Sequence, residues 1–273
     1  MATKEEFMAK KPTFKAQVNG LFGSGKTHFL MTFPKVAYIG IEPNGLDILH
    51  VKGNESLLAN LACYDYFLPT ASEDNKFEKQ EGKEDIKQVF DRLYKYISEA
   101  KEKAKAGEVE TLGLDNITYL AELRWLFINK YEKLFSAKTG NVDSQGMYGN
   151  LARWMFRFIL TEILTFPGNV VVNCHLKKES DEAMEDKIDK TADVVPNILG
   201  GFRNQSEGMF GASIYLERKI DDKGVSKFVA YCQKVRAFGA TLPAKNRYGL
   251  PAMVENVSYQ VLMDSINKTK GET

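Results

Sequence analysis

The chain has 273 residues, 44% hydrophobic and 27% charged, the balance of a globular protein with enough apolar residues for a full core. Lys+Arg number 37 and Asp+Glu 36, so bulk charge offers nothing to a nucleic acid and any such binding must come from a local patch. Cys63, Cys174 and Cys232 are widely spaced with no C-x-x-C, and His28, His50 and His175 are scattered, which argues against a disulfide scaffold or a metal cluster and suits a reducing cytoplasm. No apolar run approaches ~18 residues, so neither a signal peptide nor a membrane span is expected.

In chain order, residues 14–23 read as a strand running into a glycine turn, and 26–33 as a short helix stopped by Pro34. Residues 36–42 and 62–68 read as strands, and the polar stretch 70–85 as a surface loop. Ile86, Val89, Phe90, Leu93, Ile97 and Ala100 recur at helical spacing. Residues 109–115 form the next buried strand. Helices are predicted over 117–135 and 148–166, with the Gly-rich polar segment 136–150 between them. Asn150, Arg153, Arg157 and Thr161 mark a polar stripe on the second helix. Residues 169–175 are another apolar strand, and the chain from about 209 alternates like antiparallel strands. The pattern predicts one α/β domain over 14–262, with short tails at 1–13 and 263–273. Its sheet is mostly parallel and extended by antiparallel strands toward the C-terminus.

The stretch Gly20–Thr27, GLFGSGKT, fits G-x-x-x-x-G-K-[ST] between a predicted strand and a predicted helix. Gly20, Gly23, Ser24, Gly25, Lys26 and Thr27 are the expected nucleotide-binding residues. The glycines let backbone N–H groups turn toward phosphates, and the helix N-terminus adds a favourable dipole. Lys26 is expected to neutralise the β- and γ-phosphates, and the Thr27 hydroxyl to hold Mg²⁺. The apolar run TLGLD ends in Asp115, a second expected magnesium ligand at a strand tip. Asn116 follows it where many ATPases carry a glutamate, and asparagine cannot take a proton. Glu42, at the end of YIGIE, is the candidate base, because parallel strand tips converge on one crevice.

Together these segments resemble the RecA-type recombinase and helicase ATPases. In that family the catalytic glutamate ends the strand after the phosphate loop, which puts Glu42 on that position. The family's aspartate strand commonly ends Asp-Ser, matched here by Asp115-Asn116, and an AAA+ reading, which expects Asp-Glu, is disfavoured. The resemblance implies that His175, ending VVVNCH, senses the γ-phosphate. It also implies that Lys245 and Arg247, in AKNRYGLP, reach a neighbouring subunit's γ-phosphate. It runs from about 14 to about 262, and the core it covers resembles small phage-encoded RecA-like ATPases of single-strand annealing and recombination. The cofactors it implies are ATP and Mg²⁺. The partners are single-stranded DNA, further copies of the chain and an annealing or single-strand-binding protein, with no membrane and a cytoplasmic location.

DNA contacts are expected from 136–150, with Lys138 and Tyr148, by backbone charge and stacking. A second loop would follow His175, but residues 177–193 carry seven acidic residues against four lysines. Phe202 and Arg203 in GGFRNQ are an alternative contact. A helicase motor, a P-loop small-molecule kinase and a nucleotide-gated module with little turnover are the competing functions. The first usually needs a further domain. The second needs an arginine-rich lid, whereas Arg203, Arg218 and Arg236 are scattered.

Overall fold

The computed structural model describes residues 13–68, 84–178, 194–220, 224, 226–233, 235–237, 240–242 and 244–270. Most of the predicted loops at 70–85 and 177–193 lies outside the described residues.

A long sheet organises the chain. Strand β1 (Lys15–Gly20) sits between β5 (Asn169–Lys178) and β7 (Ala212–Ile220), parallel to both. Beyond β5 come β4 (Thr111–Asp115), β2 (Val36–Gly40) and β3 (Leu61–Tyr66), all parallel. Beyond β7 the pairing turns antiparallel, to β8 (Ser226–Tyr231) and then β12 (Met253–Glu255). Short antiparallel pairs add β6 (Val194–Pro196) to β5 and β11 (Lys245–Asn246) to β7, and β9 (Val235–Ala237) pairs with β10 (Ala240–Leu242) separately. This is the mostly parallel α/β sheet with antiparallel extension that the residue pattern predicts.

Helices cover both faces. On one face α3 (Ile86–Lys105), α4 (Ile117–Tyr131) and α5 (Ser144–Phe158) bury Val89, Leu93, Leu120, Leu151 and Met155 against Ile39, Leu112, Leu114 and Val172. Asp85 opens α3, its backbone N–H donating to Gln88 Oε1 at 2.8 Å. On the other face α1 (Lys26–Leu30) and α7 (Tyr259–Lys270) bury Phe29, Leu30, Leu262 and Ile266 against Val18, Tyr38 and Ile214. The short helices α2 (Glu55–Leu58) and α6 (Arg203–Met209) and a 3-10 turn, Gly45–His50, lie between longer elements. Each buried Leu or Val contributes roughly 1.5–3 kcal/mol of transfer free energy. Gly113 lets α1 lie close on the sheet: a Cβ there would stand 2.7 Å from Leu30 Cδ1.

Several boundaries differ from prediction, three of them in the helices. The helix expected over 148–166 starts at Ser144, because the Asp143 carboxylate accepts from Gly146 N–H at 2.9 Å and caps it. It passes into a π-helical turn, Ile159–Ile163. The helix expected to reach 135 ends at Tyr131, and Phe135 bridges to Val142 instead. The expected tail at 263–273 is helical through Lys270, because Ile266 belongs to the core beneath the phosphate-loop helix.

Register decides what meets at the sheet's upper edge. Gly20 pairs with His175, and Gly40 pairs with Asp115. The phosphate loop, Glu42, Asp115 and His175 therefore emerge from one rim, as parallel strand tips do.

Candidate active site

The phosphate loop turns through two left-handed glycines, Gly23 at φ 73° and Gly25 at φ 90°, a conformation that L side chains rarely adopt. This aims the loop's backbone inward and starts α1 at Lys26. The Lys26 ammonium is buried and donates to the loop's own carbonyls, Gly20 O at 3.0 Å and Leu21 O at 2.9 Å. Its third neighbour is His175 Nδ1 at 3.2 Å. An ammonium has no lone pair, so in this contact Lys26 donates and His175 Nδ1 accepts.

The ring's Nε2 faces Glu42 Oε2 at 3.2 Å. The same oxygen accepts from Asn116 Nδ2 at 2.7 Å. His175 is fixed from three further sides. Its backbone N–H donates to the Thr118 hydroxyl at 3.1 Å, Phe22 stacks on its ring at 4.0 Å, and Tyr119 meets it edge-on at 5.7 Å. The His175 hydrogen bond holds the Glu42 carboxyl below the usual carboxylate range, with Lys26 and Asn116 adding to the effect and burial opposing it.

Asp115 is buried at the tip of β4. It accepts from the Thr27 hydroxyl at 2.6 Å and the Tyr38 hydroxyl at 3.2 Å. Burial pushes its carboxyl up, while the Thr27 hydrogen bond opposes that shift. Burial likewise pulls the Lys26 ammonium down, and Asp115 opposes that shift. A polyanion beside Lys26 and a divalent cation beside Asp115 would offset both desolvation costs. The Ser24 hydroxyl is buried with no partner. These features fit a nucleoside triphosphate with magnesium: one carboxylate and one hydroxyl are the hard oxygens that ion takes, leaving positions for phosphate oxygens and water. Among the described residues no cluster of three or more His, Cys, Asp or Glu could hold a metal alone.

A cavity of about 440 Å³ joins these groups to Pro43, Ile48 and Val51 on one side and to His28, Arg218 and Phe228 on the other. Gly23, Ser24, Gly25, Lys26, Thr27, Glu42, Asp115 and His175 all line it, and Gly20 accepts from Lys26 beside it. Lys245 and Arg247, expected at a neighbouring copy's site, lie elsewhere. They flank the foot of β7, where Lys245 pairs with Ser213 and Asn246 with Ala212, at the opposite edge of the sheet from Gly20. Lys245 Nζ donates to the Gly208 carbonyl, and Arg247 is exposed.

The expected DNA contacts divide. Tyr148 is partly exposed and stacked on Trp125 at 4.2 Å, and Lys138 is exposed. Phe202 is fully buried in the core, so it cannot stack a base, which corrects that expectation. Residues 179–193 lie outside the described residues.

Residue reasoning missed four participants. Tyr38 had a signal, since a tyrosine in a buried apolar run needs a partner for its hydroxyl. Asn116 has no role of its own in the sequence pattern, whereas it holds Glu42 and also caps α4, accepting from Tyr119 N–H at 3.1 Å. Arg218 and Phe228 gave no local signal at all.

Comparison with known proteins finds one matching family and two similar solved structures. The family described as AAA domain matches residues 13–248. The matched stretch includes Asp115 followed by Asn116. No curated protein matches the sequence. The crystal structure of the RadB recombinase is similar at 15% identity and a TM-score of 0.37, over 89% of this chain and 86% of that one. A prototypical ATPase from the type III secretion system of pathogenic bacteria is similar at 12% identity and a TM-score of 0.44, over 94% of this chain. The chain spans 62% of that ATPase's length.

Proposed function

The chain belongs to the AAA domain family and is an ATPase, and from that premise we propose a magnesium-dependent ATP hydrolase that works as an oligomer on single-stranded DNA. One observation carries the catalytic part of this reading. The Glu42 carboxylate is held between His175 and Asn116, at 3.2 and 2.7 Å, on the same rim as Lys26 and the Thr27–Asp115 pair.

In this reading Lys26 leaves the Gly20 and Leu21 carbonyls and neutralises the β- and γ-phosphates. Thr27 and Asp115 hold magnesium, which when bound supplies positive charge to the phosphate oxygens. Glu42 orients a water against the γ-phosphorus and takes its proton as the new P–O bond forms. The bond to the β-phosphate oxygen breaks, leaving ADP and inorganic phosphate. His175 touches both Lys26 and Glu42, which suits it to sense whether Lys26 has moved to a phosphate. Lys245 and Arg247 serve a neighbouring copy, a role supported by the exposure of Arg247 at the far edge of the sheet.

The DNA part rests on the RecA-type resemblance of the sequence and on the exposed pair Lys138 and Tyr148. Action in recombination or annealing of the phage type follows from the same resemblance. The test is steady-state ATP hydrolysis with Mg²⁺, with and without single-stranded DNA, on wild type and Glu42→Gln. Stimulation by DNA together with a variant that binds ATP without turnover is the expected result. A wild type that binds ATP and never turns over would reduce the protein to a nucleotide-gated module. Turnover indifferent to DNA would remove only the DNA partner.

A further inference from the structure

The sheet order puts Glu42 and Phe228 on opposite flanks of the phosphate loop. From β1, the strand that ends in Glu42's turn lies across β5 and β4, whereas β8 lies the other way, across β7. The hydrolytic groups Glu42 and Asp115 mark where the terminal phosphate goes. The rest of a nucleotide must then leave the loop on the side away from them, toward the β7–β8 hairpin.

That side is built rather than open. The Phe228 ring packs on the backbone of Gly25, so closely that a Cβ at Gly25 would lie 2.2 Å from it. His28, next after the phosphate-binding Thr27, pairs with the same ring at 4.7 Å between centroids and 33° between planes. Phe228 is register partner to Arg218, so the two side chains share a face of the hairpin. The Arg218 guanidinium is steadied by donating twice to the Ser226 hydroxyl, at 2.9 and 2.7 Å. All three residues line the cavity that holds Lys26 and Thr27.

We propose that Phe228 and His28 form the nucleobase subsite, a tilted pair of aromatic rings against which a purine stacks, with Arg218 donating to acceptors at its edge. This rests on reading the phosphate loop as a nucleoside triphosphate site. A phosphate loop reads no base, whereas an aromatic face rewards any base and a two-ring purine most. Gly25 is then doubly constrained, by its left-handed backbone and by the ring against it.

The experiment compares ATP, CTP and inorganic tripolyphosphate by calorimetry, on wild type, Phe228→Ala, Phe228→Leu and Phe228→Trp. The leucine variant keeps an apolar side chain against Gly25 while removing the aromatic face. Loss of stacking is expected to weaken ATP binding about tenfold in the alanine and leucine variants. CTP should lose less, tripolyphosphate should be unchanged, and tryptophan should retain ATP. Equal losses for ATP and tripolyphosphate, or no loss for either, would overturn the subsite. A wild type that binds tripolyphosphate as tightly as ATP also overturns it and leaves the phosphate-site reading standing. A wild type that binds neither overturns both.

Discussion

Asn116 donates its side-chain amide to Glu42 at 2.7 Å, across 74 residues of chain. The residue standing where a glutamate base is often found thus holds, from the side, the carboxylate at the neighbouring strand tip. The same side chain accepts from Tyr119 N–H and caps α4. These two duties can be separated by substitution. Asn116→Ala should lose both. The cap is worth about 1 kcal/mol of stability. The lost hydrogen bond to a charged carboxylate should lower kcat/KM roughly tenfold. Asn116→Asp keeps a capping oxygen but sets a like charge beside Glu42, so its melting temperature should stay near wild type while turnover collapses. A stable, fully active Asn116→Asp protein would show that Glu42 is not the base.

The pH profile offers a second check. The Glu42 carboxyl is held below its ordinary value of 4.5, chiefly by His175. A general base must be ionised, so activity persists above that depressed value and is lost as pH falls through it. In His175→Ala the largest cause of the depression is gone, and the acid limb of kcat/KM should move to higher pH. His175→Gln, which restores an amide donor toward Glu42, should move it back. An acid limb that stays in place in His175→Ala would detach that limb from Glu42.

Arg247 tests assembly. Its exposed position at the foot of the sheet keeps it from the phosphate loop of its own chain. Arg247→Ala and Glu42→Gln should each be inactive alone. Mixed, they should recover part of the wild-type rate, because a subunit with an intact Glu42 can receive an arginine from its neighbour. The arginine's contribution is on the order of 10³–10⁵ in rate. Mixtures that stay inactive at every ratio would rule out delivery in trans.

Gly113 is a packing test with a consequence for the site. A Cβ there would meet Leu30 Cδ1 at 2.7 Å, and Leu30 ends the helix that begins with Lys26. Gly113→Val should cost about 1–3 kcal/mol by overpacking, measured by urea unfolding. Adding Leu30→Ala should recover part of that loss, since the pair shares one volume. Additive losses in the double variant would mean that the two residues do not compete for space.

Some of this protein was legible in the order of its residues alone. The phosphate loop, its lysine and threonine, and the strand tips at Glu42, Asp115 and His175 are local features. Glycine φ freedom, the helix start after Gly25 and apolar runs of strand length are all set by neighbours in the chain. The mostly parallel sheet with an antiparallel extension follows from how strands and helices alternate. What only the tertiary structure decided is which distant side chains touch. His175 reaches Glu42 across 133 residues, Thr27 reaches Asp115 across 88, and Phe228 closes on Gly25 from a hairpin two strands away. The same holds for the burial of Phe202 and the core role of Ile266, which the local pattern had assigned to a surface contact and a tail. Periodicity tells which face of an element is apolar. It carries no register between strands, and register is what brought Gly20 beside His175 and Gly40 beside Asp115.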